Sequence, residues 1–101
     1  MKIRVLYFEG CPNHEPTVER LRQIVDETGI EADIEIVEVR GPDEATELRF
    51  LGSPTVQIDG HDIEPGAESR SDYAMCCRMY GSSGVPSRTM IESAIRGRLP
   101  R

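Results

Sequence analysis

Apolar and polar positions along this chain alternate in blocks that predict the order β-α-β-α-β-β-α. Ile3 to Phe8 alternates and then runs apolar, the pattern of a buried strand. A turn-rich stretch, Glu9-Gly10-Cys11-Pro12-Asn13-His14-Glu15-Pro16, follows it. Val18, Leu21, Ile24, Val25 and Thr28 then share one face of a helix whose other face carries Glu19, Arg20, Arg22, Gln23, Asp26 and Glu27. Gly29 is its stop. Pro16 sits poorly deep inside a helix, so a start near Pro16 is expected, with Cys11–His14 as a preceding turn. Ile30, Ala32, Ile34 and Ile36 alternate with Glu31, Asp33 and Glu35, a second strand. Val37 and Val39 break the phase, which implies an end buried on both faces.

Gly41-Pro42-Asp43-Glu44 opens a short second helix, with proline at its first position and acids in its first turn. Ala45, Leu48 and Leu51 form its inner face, and Gly52 ends it. Ser53-Pro54 leads into a third strand, Thr55-Val56-Gln57-Ile58. Asp59-Gly60 is a two-residue hairpin signal that returns His61-Asp62-Ile63 antiparallel. A last helix begins near Pro86, with Met90, Ile91, Ala94 and Ile95 facing inward. Two strands joined by a helix are parallel with a right-handed crossover, and helices cover both faces of the sheet. The fold class expected is therefore α/β, a four-stranded mixed sheet flanked by three helices. Positions 64–84 have no period and form an irregular loop that holds two of the three cysteines; unpatterned stretches this long in a small domain are usually functional or disordered.

The 101 residues suffice for one domain, 1–101. Hydrophobic residues are 38% and charged residues 30%, the balance of a globular domain rather than a disordered chain. With three Tyr, two Phe and no Trp, aliphatic side chains must fill the core. A net charge of −6 argues against nucleic acid and against an anionic membrane surface as partners, since both need a basic face. Apolar runs are too short to span a membrane. The start, Met1-Lys2-Ile3-Arg4, lacks the apolar core of a signal peptide, so a cytoplasmic location is expected. In that setting cysteines point to redox or metal chemistry before structural disulfides.

Cys11 falls where the first strand meets the first helix, at the carboxyl end of the sheet where ligands of open α/β folds bind. Unpaired N–H groups at a helix start favour a thiolate there, and a pKa lowered by one to two units corresponds to about 1.4–2.7 kcal/mol. His14, three residues on, is placed to hold that thiolate or to move a proton. A bonded pair between the adjacent Cys76 and Cys77 would need a strained eight-membered ring. His61, Asp59 and Asp62 read as solvated hairpin residues, and no phosphate-binding glycine pattern is present.

The element order, Cys11-Pro12-Asn13-His14 and Ser53-Pro54-Thr55 together resemble the thioredoxin-like superfamily across nearly the whole chain. The resemblance implies a β-α-β-α-β-β-α thioredoxin-like fold, with Pro54 a cis-proline packed against the active cysteine. It implies that Pro12, Ser53, Pro54 and Thr55 shape the substrate groove. His14 stands where the superfamily's second motif cysteine would be, so the nearby dithiol is missing. Tyr7–Pro12, Gly52–Gly60 and Cys77–Tyr80 are further similar to segments of small bacterial thioredoxin-like proteins of the seleno type, some labelled alkylmercury lyase. The resemblance implies a thiol–disulfide oxidoreductase acting on a protein or small-molecule disulfide or thiol. In it Cys11 is the nucleophile, His14 tunes it, and Cys77, with Cys76 as substitute, resolves the mixed disulfide. A Cys11–Cys77 bond would close a loop of about 66 residues, with a model stabilisation near 4 kcal/mol. No cofactor is called for. Two other readings stay open: a soft-metal or organomercurial binding protein using Cys11 with Cys76 and Cys77, and a non-catalytic thioredoxin-like adaptor. A zinc site would want four ligands, and the paired Cys-x-x-Cys knuckles are missing, whereas mercury or copper(I) needs only two thiolates.

Overall fold

Strand β1 (Lys2–Tyr7) runs through the middle of the sheet because both of its faces find apolar cover. In the computed structural model, which describes residues 1–99, Ile3 and Val5 face one helical layer and Leu6 faces the other. The sheet order is β2-β1-β3-β4. Strand β2 (Asp33–Glu38) lies parallel to β1, with Ile3 opposite Ile34 and Val5 opposite Ile36. Strand β3 (Thr55–Ile58) lies antiparallel on the other side, with Val5 opposite Val56 and Leu6 opposite Thr55. Strand β4 (His61–Asp62) closes the hairpin. The architecture is thus α/β, with a four-stranded mixed sheet and three helices.

Helix α1 (His14–Thr28) and helix α3 (Arg88–Arg98) cover one face, where Val18, Leu21, Ile24, Ile91 and Ile95 meet Ile3, Val5, Val56 and Ile58. Helix α2 (Pro42–Glu47) covers the other, where Ala45 and Phe50 meet Leu6 and Val39. α1 starts two residues before Pro16. The proline is its third residue, at a position whose N–H has no intrahelical acceptor in any case, so the helix loses nothing there. Gly29 adopts φ 69° and returns its N–H to the Val25 carbonyl, the expected left-handed stop. α3 starts at Arg88, where Ser87 Oγ accepts the Met90 N–H. Asp59 (φ 50°) and Gly60 (φ 86°) are both left-handed, as a tight primed hairpin turn requires. Among the described residues no helix is long and apolar enough to cross a membrane.

Two departures from the sequence pattern have one cause, the edge position of β2. The strand begins at Asp33, where its N–H reaches the Met1 carbonyl, and Ile30 and Ala32 pack against the core before the ladder starts. Its far end is not buried on both faces: Val39 is buried, Val37 half-buried, and Ile36 43% exposed. A strand with a neighbour on one side only leaves part of its apolar surface uncovered. Positions 64–84 also hold more order than expected: a short 3-10 turn at Ala67–Ser69, and backbone bridges from Cys77 to Ser53 and from Tyr80 to Ser83.

Candidate active site

Ser53 organises this region, and its own burial makes that possible. It stands just before β3, fully buried, with a cis peptide to Pro54. Its Oγ accepts the Phe8 N–H at 3.4 Å, at the end of β1. The Phe8 carbonyl in turn accepts the Cys11 N–H at 3.2 Å. On its other side, the Ser53 N–H donates to the Cys76 carbonyl (2.8 Å) and the Ser53 carbonyl accepts the Arg78 N–H (3.0 Å). The turn that carries Cys11 and the segment that carries Cys76 and Cys77 are therefore both bonded to Ser53. Gly52 permits that approach. A Cβ there would lie 3.0 Å from the Cys76 carbonyl oxygen and 3.0 Å from Arg78 Cβ, and φ is +119°.

The cysteine-bearing segment is pinned from beneath by Arg78. Its guanidinium makes a bidentate pair with Asp62 of β4 (2.7 and 2.8 Å), bonds Glu64 at 3.1 Å and donates to Thr55 Oγ1 at 3.2 Å. It also stacks over the Tyr80 ring, 4.5 Å from the centroid. The Arg78 side chain is 3% exposed and that of Asp62 is 7%. Burial disfavours a charged guanidinium, but the hydrogen bonds and charge of Asp62 and the hydrogen bond to Glu64 outweigh it and push Arg78 above the usual arginine range. The Tyr80 hydroxyl donates to the Pro54 carbonyl at 2.5 Å. Burial, reinforced by the Asp62 and Glu64 charges, pushes the Tyr80 phenol well above its ordinary value, against the opposing charge of Arg78.

Cys11 is buried, 5% exposed, while its neighbour Pro12 is exposed. His14 packs flat on Tyr7, ring centroids 4.0 Å apart and 12° from parallel. Its Nδ1 donates to the Cys11 carbonyl at 2.9 Å. A carbonyl only accepts, so Nδ1 carries the hydrogen and the neutral ring presents its lone pair at Nε2. His14 is thus anchored on the Cys11 backbone. The loop after Tyr80 closes over this turn: Gly84 lies so close to the Asn13 side chain that a Cβ would stand 2.3 Å from its Nδ2.

The structure brings Cys11, His14, Ser53 and the Cys76–Cys77 pair to one rim of the sheet, with Cys11 buried and Cys76 and Cys77 exposed, all three as free thiols. Ser53, Pro54 and Thr55 are buried beneath residues 76–80, so they support the rim from below, and Pro12 alone of the expected groove residues faces solvent. Among the described residues, no three His, Cys, Asp or Glu side chains gather as a group able to hold a metal ion. A cleft of about 490 Å³ is lined by Ile58, His61, Ile63, Ala94 and Arg98 together with Asp62 and Glu64, the partners of Arg78, and by none of the cysteines. Sequence reasoning missed Asp62 and Arg78. Alternation in Cys77-Arg78-Met79-Tyr80 would turn Arg78 outward and Cys77 and Met79 inward, the reverse of what is found, so no local signal announces the pair. No family model, curated protein or solved structure matches the chain.

Arg78→Met is expected to cost about 3–5 kcal/mol in urea unfolding, since it strands a buried carboxylate, and the double change Arg78→Met with Asp62→Leu to cost less than the single one. A single change within about 1 kcal/mol of wild type would contradict a structural role for the pair. A pH series tests Tyr80. Its folded pKa lies above the ordinary 10.0, so the folded state holds the proton that the unfolded chain releases. That contribution is intact below pH 10.0 and falls by about 1.4 kcal/mol per unit above it, until the folded phenol itself ionises. The stability gap between wild type and Tyr80→Phe should therefore narrow as pH rises past 10.0, and a constant gap would contradict the buried neutral phenol.

Proposed function

We propose that this protein is a thioredoxin-like thiol–disulfide oxidoreductase whose redox couple is Cys11 with Cys77, Cys76 serving as the substitute partner. One observation carries the reading: Ser53 bonds both the Phe8 end of β1, which leads into the Cys11 turn, and the backbone on either side of Cys77. The β2-β1-β3-β4 order, with the thiol turn between β1 and α1, supports the thioredoxin-like assignment.

Exposure sets the order of steps. The first attack on an external disulfide needs a thiol that solvent reaches, and Cys77 is exposed where Cys11 is buried. The Cys77 thiolate attacks one sulfur of the substrate, a Cys77–substrate disulfide forms, and the second substrate sulfur leaves as a thiolate that takes up a proton. The Cys11 thiolate then attacks the Cys77 sulfur, the remaining substrate thiolate leaves, and the protein holds a Cys11–Cys77 disulfide. Two electrons have passed from the protein dithiol to the substrate disulfide, and an external thiol restores the reduced protein. This reverses the order implied by the family resemblance, in which Cys11 attacks first. His14, three residues on and bonded to the Cys11 carbonyl, offers the lone pair of its Nε2 as a proton acceptor. A reducing, cytoplasmic setting fits three free thiols.

Mild oxidation followed by peptide mapping in a mass spectrometer tests the assignment. The expected product is an intramolecular link from Cys11 to Cys77, or to Cys76 where Cys77 is replaced by serine. Oxidation that yields only intermolecular dimers, or only a Cys76–Cys77 bond, would overturn it.

A further inference from the structure

We propose that the substrate of this rim is an extended polypeptide disulfide, one that pairs through its backbone with the outer edge of Cys77. The inference rests on the oxidoreductase reading and narrows its substrate to a chain. In the parallel bridge between Ser53 and Cys77, Ser53 bonds the Cys76 carbonyl and the Arg78 N–H. In a parallel ladder the residue between those two bonds turns its own N–H and carbonyl to the opposite edge. Those are the Cys77 groups, and neither has a hydrogen-bond partner among the described residues. A chain laid along that edge takes up both with a single residue, and that residue is then opposite the exposed thiol. The backbone of Ser53, the other candidate platform, is already filled by this protein's own segment.

The segment is built to hold such a chain. Arg78 and Tyr80 are buried while Cys77 is exposed and Met79 is 57% exposed, a two-residue alternation that puts the thiol and the thioether on the same outward face. Met79 thus offers an adaptable apolar contact two residues from the reacting sulfur. The ion pair of Arg78 with Asp62 and the bond from Tyr80 to Pro54 keep the edge extended before any chain arrives, which lowers the ordering cost of docking.

Charge selects among chains. The exposed charged side chains of the adjoining Cys11 turn are Glu9 and Glu15, and neither forms an ion pair among the described residues. Arg78, beneath the rim, is already neutralised by Asp62 and Glu64. The complementary partner is a segment with Lys or Arg near its half-cystine. On contact, the Cys77 thiolate forms a bond to that half-cystine sulfur, the substrate S–S bond breaks, and the distal sulfur leaves with its electron pair and a proton.

The test compares initial rates of exchange between the full-length reduced protein and four disulfides at equal concentration. They are hydroxyethyl disulfide, an extended Lys-flanked peptide disulfide, the same peptide flanked by Glu, and the Lys peptide N-methylated at its half-cystine. The Lys peptide should react about tenfold faster than hydroxyethyl disulfide, the worth of two modest backbone hydrogen bonds. N-methylation, which removes one of the two bonds, should cut that rate about threefold, and Glu flanks should slow it, with the Lys–Glu difference shrinking in high salt. Equal rates for hydroxyethyl disulfide and the Lys peptide, or a rate indifferent to N-methylation, would overturn the docking proposal while the redox reading stands. Absence of exchange with all four would overturn both.

Discussion

The buried pair of Arg78 and Asp62 is the interaction on which the rest of this site depends. A guanidinium and a carboxylate removed from water are costly unless they neutralise each other with good geometry. Here the bidentate contact, the added bonds to Glu64 and Thr55 and the Tyr80 ring meet that condition at both terminal nitrogens, while the buried Nε has no partner among the described residues. The consequence is positional. Met75 packs against the Leu6 cluster and Tyr80 is buried, and between them Arg78 supplies the charged anchor of the segment. Gly52 and Ser53 then let the backbone close on the cis-proline turn, and Cys77 comes to rest beside the residue that also fixes the end of β1.

The same anchor divides the chemistry between two kinds of thiol. Cys11 is held in a turn, sheltered, with His14 clamped between the Tyr7 ring and its carbonyl. Cys77 is held at a solvent-facing edge. A sheltered thiol suits an intramolecular step, and an exposed one suits the encounter with another molecule, so burial gives the proposed couple its direction. The groups expected to form the substrate groove, Ser53, Pro54 and Thr55, act one layer deeper. They carry the segment that meets solvent.

Much of the architecture was legible because it rests on local pattern. Ile3 to Phe8, the alternation through Ile34 and Ile36, and Asp59-Gly60 each state their element within a few residues. The short second helix followed from Pro42 and the acids after it. What was not legible depends on partners far apart in sequence. Arg78 finds Asp62 across sixteen positions, and Tyr80 finds Pro54 across twenty-six, with no period to announce either. Asp62 beside His61 reads as a solvated hairpin residue until its partner is known, and a lone arginine between Cys77 and Met79 reads as the solvent-facing position of its segment. Exposure of Ile36 was hidden for a related reason: strand order decides which strand lies at the edge, and a single strand's pattern does not record its neighbours. For the candidate site, the cysteines and His14 stood out by residue type, whereas the burial of Cys11 came only with the packing of the turn.

Amide hydrogen exchange at Ser53 and Arg78 tests the central claim most directly, because these two N–H groups are the donors that hold the cysteine segment on the sheet. The account predicts that both exchange as slowly as the amides of β3, opening only with the fold as a whole. Exchange as fast as at exposed Gly81 and Ser82 would mean that the segment lifts freely, and the fixed rim would not exist.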